Sequence, residues 1–181
     1  MDAGGAAAAN DVLTTGPSDR NRRVWRWSTI VVAAVLLAAF GFHRVDQSAR
    51  HSEISALAMT SADAQATAAH ADAQVRSTRA YTLPQLQSAP AAVRVGLAKL
   101  IADSAGRGVA DLRASRSAVA STSVLPWHGS IRAAKRAELA YLDTWISYLD
   151  KVAAGGDIGE RPSQTLDADQ ATARAALAAA A

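Results

Sequence analysis

The chain has 181 residues, 19 Lys or Arg against 16 Asp or Glu for a formal net charge of +3, and no cysteine. Such a length holds one domain with a modest core plus appendages. The missing thiols exclude disulfide staples, thiolate zinc sites, c-type haem attachment and cysteine nucleophiles together.

Alanine supplies roughly a quarter of the residues, far above ordinary usage. It is the strongest helix former because it loses no side-chain entropy and buries no polar group. Outside Ile30 to Val35, runs of β-branched residues bounded by turn signals are absent. The expected fold class is all-α: a single N-terminal transmembrane helix continuing into an antiparallel bundle of three or four helices.

Residues 1–23 mix Gly, Ala, Asn, Asp, Ser and Pro with no apolar period and read as a disordered cytoplasmic tail. Asp2 occupies the position that N-myristoylation requires to be Gly. Residues 24–44 read as a signal-anchor. The charge-free run from Ser28 to Phe42 spans about 22 Å at ~1.5 Å per residue, short of a ~30 Å hydrocarbon core. Its flanks supply the difference. Trp25, Trp27 and Phe42 suit the two interfaces, and Arg26 can snorkel to the headgroups. Arg22 and Arg23, with Arg20 and Arg26, crowd the N-terminal side, so the positive-inside rule places that side in the cytoplasm. The competing reading is a cleaved signal peptide with a site at Ala39-Phe40-Gly41, for which the bulky residues after it are poorly suited. A soluble core helix is the third.

Residues 45–181 read as an extracytoplasmic helical domain, with helices at about 45–81, 89–122, 130–154 and 165–179. In the first, Ile54, Leu57, Ser61, Ala64, Ala68, Ala71, Val75 and Thr78 step by threes and fours, a heptad seam of small residues. It is expected to pack within the chain, a homodimer being the alternative. The prolines of Thr82-Leu83-Pro84 and Ser88-Ala89-Pro90 predict a break. The second helix offers Val93, Leu97, Ile101, Ala105, Gly108, Leu112 and Val119 to one face, and Gly106 and Gly108 mark a bend or a close crossing. Ser121 to Ser130 is the next turn. The third carries a stripe of Leu139, Leu142, Ile146, Leu149 and Ala153, widened by Tyr141, Trp145, Tyr148 and Val152 and edged by Asp143, Ser147, Asp150 and Lys151. After a Gly-rich loop, Asp167 and Gln170 form a capping pair for a short final helix.

Signatures of catalysis are missing: no phosphate loop, HExxH, GxSxG, SxxK or ExxH occurs. His43, His51, His70 and His128 are never three or four apart, so no helix face presents two as ligands. No catalytic residue, metal or cofactor is expected, and His128 is read as structural or as a surface residue of the turn. Trp145 with Tyr141 and Tyr148 is read as core in preference to a ligand cleft.

The charges are segregated. From Arg76 to Arg136 ten Lys or Arg stand against Asp103 and Asp111 alone, whereas the segments on either side are net acidic. Charge complementarity inside the bundle is the preferred reading. A face of Arg107, Arg113 and Arg116 for an anionic envelope partner is the other. Nucleic acid is not an expected partner, since the segment lies outside the cell and has few aromatics for stacking. The expected function is a non-enzymatic, single-pass membrane protein whose outward domain binds or scaffolds an envelope component. The alternatives are a sensor-like ectodomain with a small ligand near Trp145, and a secreted helical protein.

Overall fold

The computed structural model describes residues 19–155 and 163–181, with the backbone alone for residues 19–30 and Ser163. Four helices and no strand are present among them: α1 (Asp19–Ser88), α2 (Ala91–Ser121), α3 (Gly129–Ala153) and α4 (Ser163–Ala180). The chain divides into two compact units, Met1–Asp46 and Gln47–Ala181.

In the first unit every described side chain from Val31 to Val45 is exposed, the large apolar ones included. Among the described residues no helix is long and apolar enough to cross a membrane. The tail expected at residues 1–18, and the side chains of Arg22, Arg23, Trp25, Arg26 and Trp27, lie outside the described residues.

The second unit is an up-down-up-down bundle whose register can be read from its cross-helix contacts. Thr60 meets Thr122, Ala71 meets Gly108 and Thr78 meets Ser104, so α1 and α2 are antiparallel. Arg116 with Asp143 and Arg113 with Asp150 set α2 against α3 in the same sense. Gln65 with Glu138 makes α3 parallel to α1, and Arg174 with Gln65 brings α4 back alongside. The α1 seam is the centre of this arrangement: Leu57, Ser61, Ala64, Ala68, Ala71 and Val75 are all buried, so it packs within the chain. Gly108 is the close crossing. A Cβ there would lie 3.0 Å from the Ala71 Cβ and 3.1 Å from the Leu149 Cδ1, whereas Gly106 has open space.

Several sequence expectations need correction. The Thr82-Leu83-Pro84 break does not occur, and α1 runs through Pro84 to Ser88. Proline removes one donor from the ladder, the N–H that would reach the Ala80 carbonyl, and at the next position the Gln85 side chain donates to the Tyr81 carbonyl at 3.1 Å. Thr82, fully buried, and half-buried Leu86 tie the last turns to the core. Instead the chain turns at Ala89-Pro90, where the Pro90 carbonyl receives the N–H groups of Val93 and Arg94. Val93 is exposed and does not share the α2 core face. On α3 the buried line runs Ile131, Ala134, Glu138, Tyr141, Leu142, Trp145, Leu149 and Val152, leaving Leu139, Ile146 and Ala153 on its margin. Finally, α4 starts at Ser163, so Asp167 lies within it and does not cap its start. Gly155, at φ +71°, ends α3 in the left-handed conformation that favours glycine.

Four substitutions test this packing. Gly106→Ala should stabilise the bundle by up to about 1 kcal/mol through helix propensity. Gly108→Leu should cost about 1–3 kcal/mol or more by overpacking, both read as shifts in urea midpoint. Leu142→Asp should unfold the bundle by burying an unpaired charge, whereas Ser147→Asp, exposed on the opposite face, should be nearly neutral.

Candidate functional site

Of the predicted anionic-partner face, Arg113 donates to Asp150 at 2.8 Å and Arg116 donates to both carboxylate oxygens of Asp143 at 2.5 and 3.1 Å. The hydrogen bond from Arg116 to Asp143 holds its guanidinium above the ordinary pKa. Both acids come from the polar edge of α3. These pairs are exposed and contribute little to stability, yet they engage two of the three predicted arginines with internal partners. Arg107 lies exposed on the same helix. Charge complementarity between α2 and α3 therefore engages two of the ten basic residues between Arg76 and Arg136. Phe42 is exposed in the first unit.

Trp145 and Tyr141 are buried, with Tyr148 edge-on to Trp145 at 6.0 Å between ring centroids. They fill the core. Among the described residues no three His, Asp or Glu side chains gather as a metal ligand set. His70 is exposed and bonded to Gln74 within its own helix.

The structure assembles two polar clusters that sequence reasoning did not connect. In the first, Glu138 is buried on α3, and its carboxylate receives the Gln65 amide at 3.2 Å. Burial pushes its pKa up, opposed by the Gln65 hydrogen bond and by the charge of Arg174. Arg174 in turn donates to the Gln65 carbonyl oxygen, so one acid is shared among α1, α3 and α4. Its sequence signal was only a charge near a stripe of apolar residues.

The second cluster is the corner where the α2–α3 turn meets α1. Glu53 accepts the Leu125 backbone N–H at 3.0 Å, and its other oxygen lies 2.6 Å from the His128 Nδ1. His128 is thus a buried partner of an acid 75 residues away, a distance in sequence no local pattern reveals. On the outer side of the turn Lys135 donates to the Ala120 and Thr122 carbonyls, satisfying the open end of α2, and Arg132 donates to the Pro126 carbonyl. Trp127 stands exposed at the apex. A concavity of about 220 Å³ is lined by Val124 of the turn and by Arg132, Lys135, Arg136 and Leu139 of α3.

The other end of the bundle differs. Because Leu149 faces Gly108, α3 ends only about one turn beyond that level, and none of its residues accompanies the last turns of α1 or the first turns of α2. On that two-helix tip Tyr81, Leu83, Val93, Val95 and Leu100 remain exposed, amid Arg94 and Lys99.

No protein-family model, curated protein or solved structure matches the chain.

The buried acid makes a signed prediction. A carboxyl with a raised folded pKa binds its proton more tightly folded than unfolded, so its contribution to stability falls as pH rises from the ordinary carboxylate range through the folded value. Glu138→Gln should therefore stabilise the bundle at pH 7 relative to the parent chain. That advantage should shrink towards pH ~4, the unperturbed glutamate range, in urea titrations at the two pH values.

Proposed function

We propose that this is a membrane-anchored, non-enzymatic scaffold, with residues 24–44 as a signal-anchor and the bundle outside the cytoplasm, docking an envelope protein on the α1–α2 tip. The observation that carries the docking is the exposure of Tyr81, Leu83, Val93, Val95 and Leu100 at one end of the bundle. Several large apolar side chains exposed at one end of a folded protein mark an interaction site, and Arg94 and Lys99 among them favour a partner with an acidic rim.

Support for the anchor is of the same physical kind. The helix from Val31 to Val45 exposes its apolar side chains on all faces, an arrangement stable in hydrocarbon and unfavourable in water. The cationic group of Arg44 stacks over the Phe40 ring at 5.3 Å, a pairing suited to a headgroup boundary. The clustered arginines before Ser28 favour a cytoplasmic N-terminus. A ligand-sensing reading would need space beside Trp145, which is buried in close-packed core.

The anchor is tested by alkaline extraction. The protein should stay with membranes and retain Met1 to Trp27, and a soluble form beginning near Phe42 would overturn it. Docking is tested by a photo-reactive residue placed at Tyr81 or Val95 in intact membranes. One heterologous adduct of defined mass is expected, lost on Val93→Glu and absent with the probe at Ser147. An adduct of twice the chain mass would replace the partner by a second copy.

A further inference from the structure

We infer that the corner formed by Trp127, Arg132 and Arg136 is a binding site for the phosphate of anionic lipid headgroups. It is separate from the tip and from the predicted arginine face. Three observations converge on it.

The first is chemical. The concavity of about 220 Å³ has three cationic side chains and two apolar ones in its lining, and no carboxylate. Neighbouring acids are committed elsewhere: Glu53 to His128 and the Leu125 N–H, Asp143 to Arg116. Lys135 and Arg132 each spend donors on backbone carbonyls, which fixes their heads in place. Arg132 uses one terminal nitrogen on Pro126, and a guanidinium has five N–H donors, so most of its fork remains for a ligand. Arg136, one helical turn on, adds a second. Guanidinium groups bind phosphate oxygens through paired N–H donors.

The second is the apolar component. Trp127 is 61% exposed at the apex of the turn, and Val124 and Leu139 form part of the wall. A free phosphate has no use for an indole or an aliphatic wall. An indole beside basic residues is the combination that settles at the headgroup level of a bilayer. Lipid is therefore the source of phosphate that the corner fits.

The third is connectivity. Glu53 holds the turn through Leu125 and His128, so the corner lies at the end of the bundle where α1 enters, seven residues after Asp46. In this respect the inference rests on the anchor reading, because a chain held in a bilayer near Arg44 is tethered there only a few residues before Glu53 in sequence.

The chain has no cysteine, so Ser123→Cys, at an exposed position beside the turn, accepts a single environment-sensitive dye. The full-length labelled protein is placed in nanodiscs of phosphatidylcholine alone or with phosphatidylglycerol. A blue shift is expected in the anionic discs only, reversed by high salt, unaffected by millimolar inorganic phosphate, and lost in Arg132→Gln/Arg136→Gln. Arg113→Gln/Arg116→Gln should retain it, which separates the corner from net charge, and unchanged helicity by circular dichroism excludes misfolding. Incorporation into discs reads the anchor independently. Should the chain fail to incorporate, co-sedimentation with anionic vesicles reads the corner alone, and the first double variant should weaken it about thirtyfold. Equal spectra in both lipids, equal loss in both double variants, or displacement by phosphate would each overturn the inference.

Discussion

The bundle depends on how closely α1 can approach its neighbours. Ser61, Ala64, Ala68 and Ala71 give it a surface with almost no side-chain height, and Gly108 removes the last obstacle on α2 at the point where Leu149 arrives from α3. Small faces on one helix allow large ones opposite. The bulk of the core comes from Ile101, Leu112, Ile131, Leu142, Trp145 and Leu149, which fill the space the alanines leave. Close packing of this type makes a one-residue slip costly, because each large side chain would meet a Cβ where it now meets a gap.

Polar groups reinforce that register. Glu53 reaches the Leu125 N–H and His128, and Glu138 lies against Gln65. Displacing either helix would leave a poorly solvated carboxylate without its donors, a penalty larger than the small net gain of the bonds themselves. The pairs therefore discriminate between packings more than they add stability. The exposed pairs of Arg113 and Arg116 add a weaker preference of the same sign, drawing α2 to the Asp143 and Asp150 edge of α3.

These constraints make the two ends of the domain chemically different. At the entry end the turn is pinned, its carbonyls are satisfied by Lys135 and Arg132, and cationic groups and one indole face outwards. At the other end α1 and α2 outrun α3, and the apolar residues there lack the third helix that covers their counterparts in the core. A headgroup contact at one end and protein docking at the other would use both surfaces without requiring any catalytic group.

Much of the fold was legible because it rests on periodicity, which is a local property. The α1 seam, the α2 line from Leu97 to Val119 and the turns at Ser121–Ser130 and after Ala153 follow from spacing and from the restricted dihedrals of Pro and Gly. Misreadings arose where tertiary contacts outweigh local preference. Pro84 stays helical because Thr82 and Leu86 are packed into the core, and the α3 stripe is rotated so that Glu138 lies inside, because Gln65 and Arg174 are there to meet it. The candidate site residues were the least legible. Arg132 and Arg136 stand in sequence as ordinary surface cations, and His128 as a loop histidine. The sequence by itself determined helices, faces and the segregation of charge, since these are set by neighbours within a few residues. Which charges pair and which converge on one corner was decided by the folded chain, since Glu53 and His128 meet only when helices far apart in sequence are brought side by side.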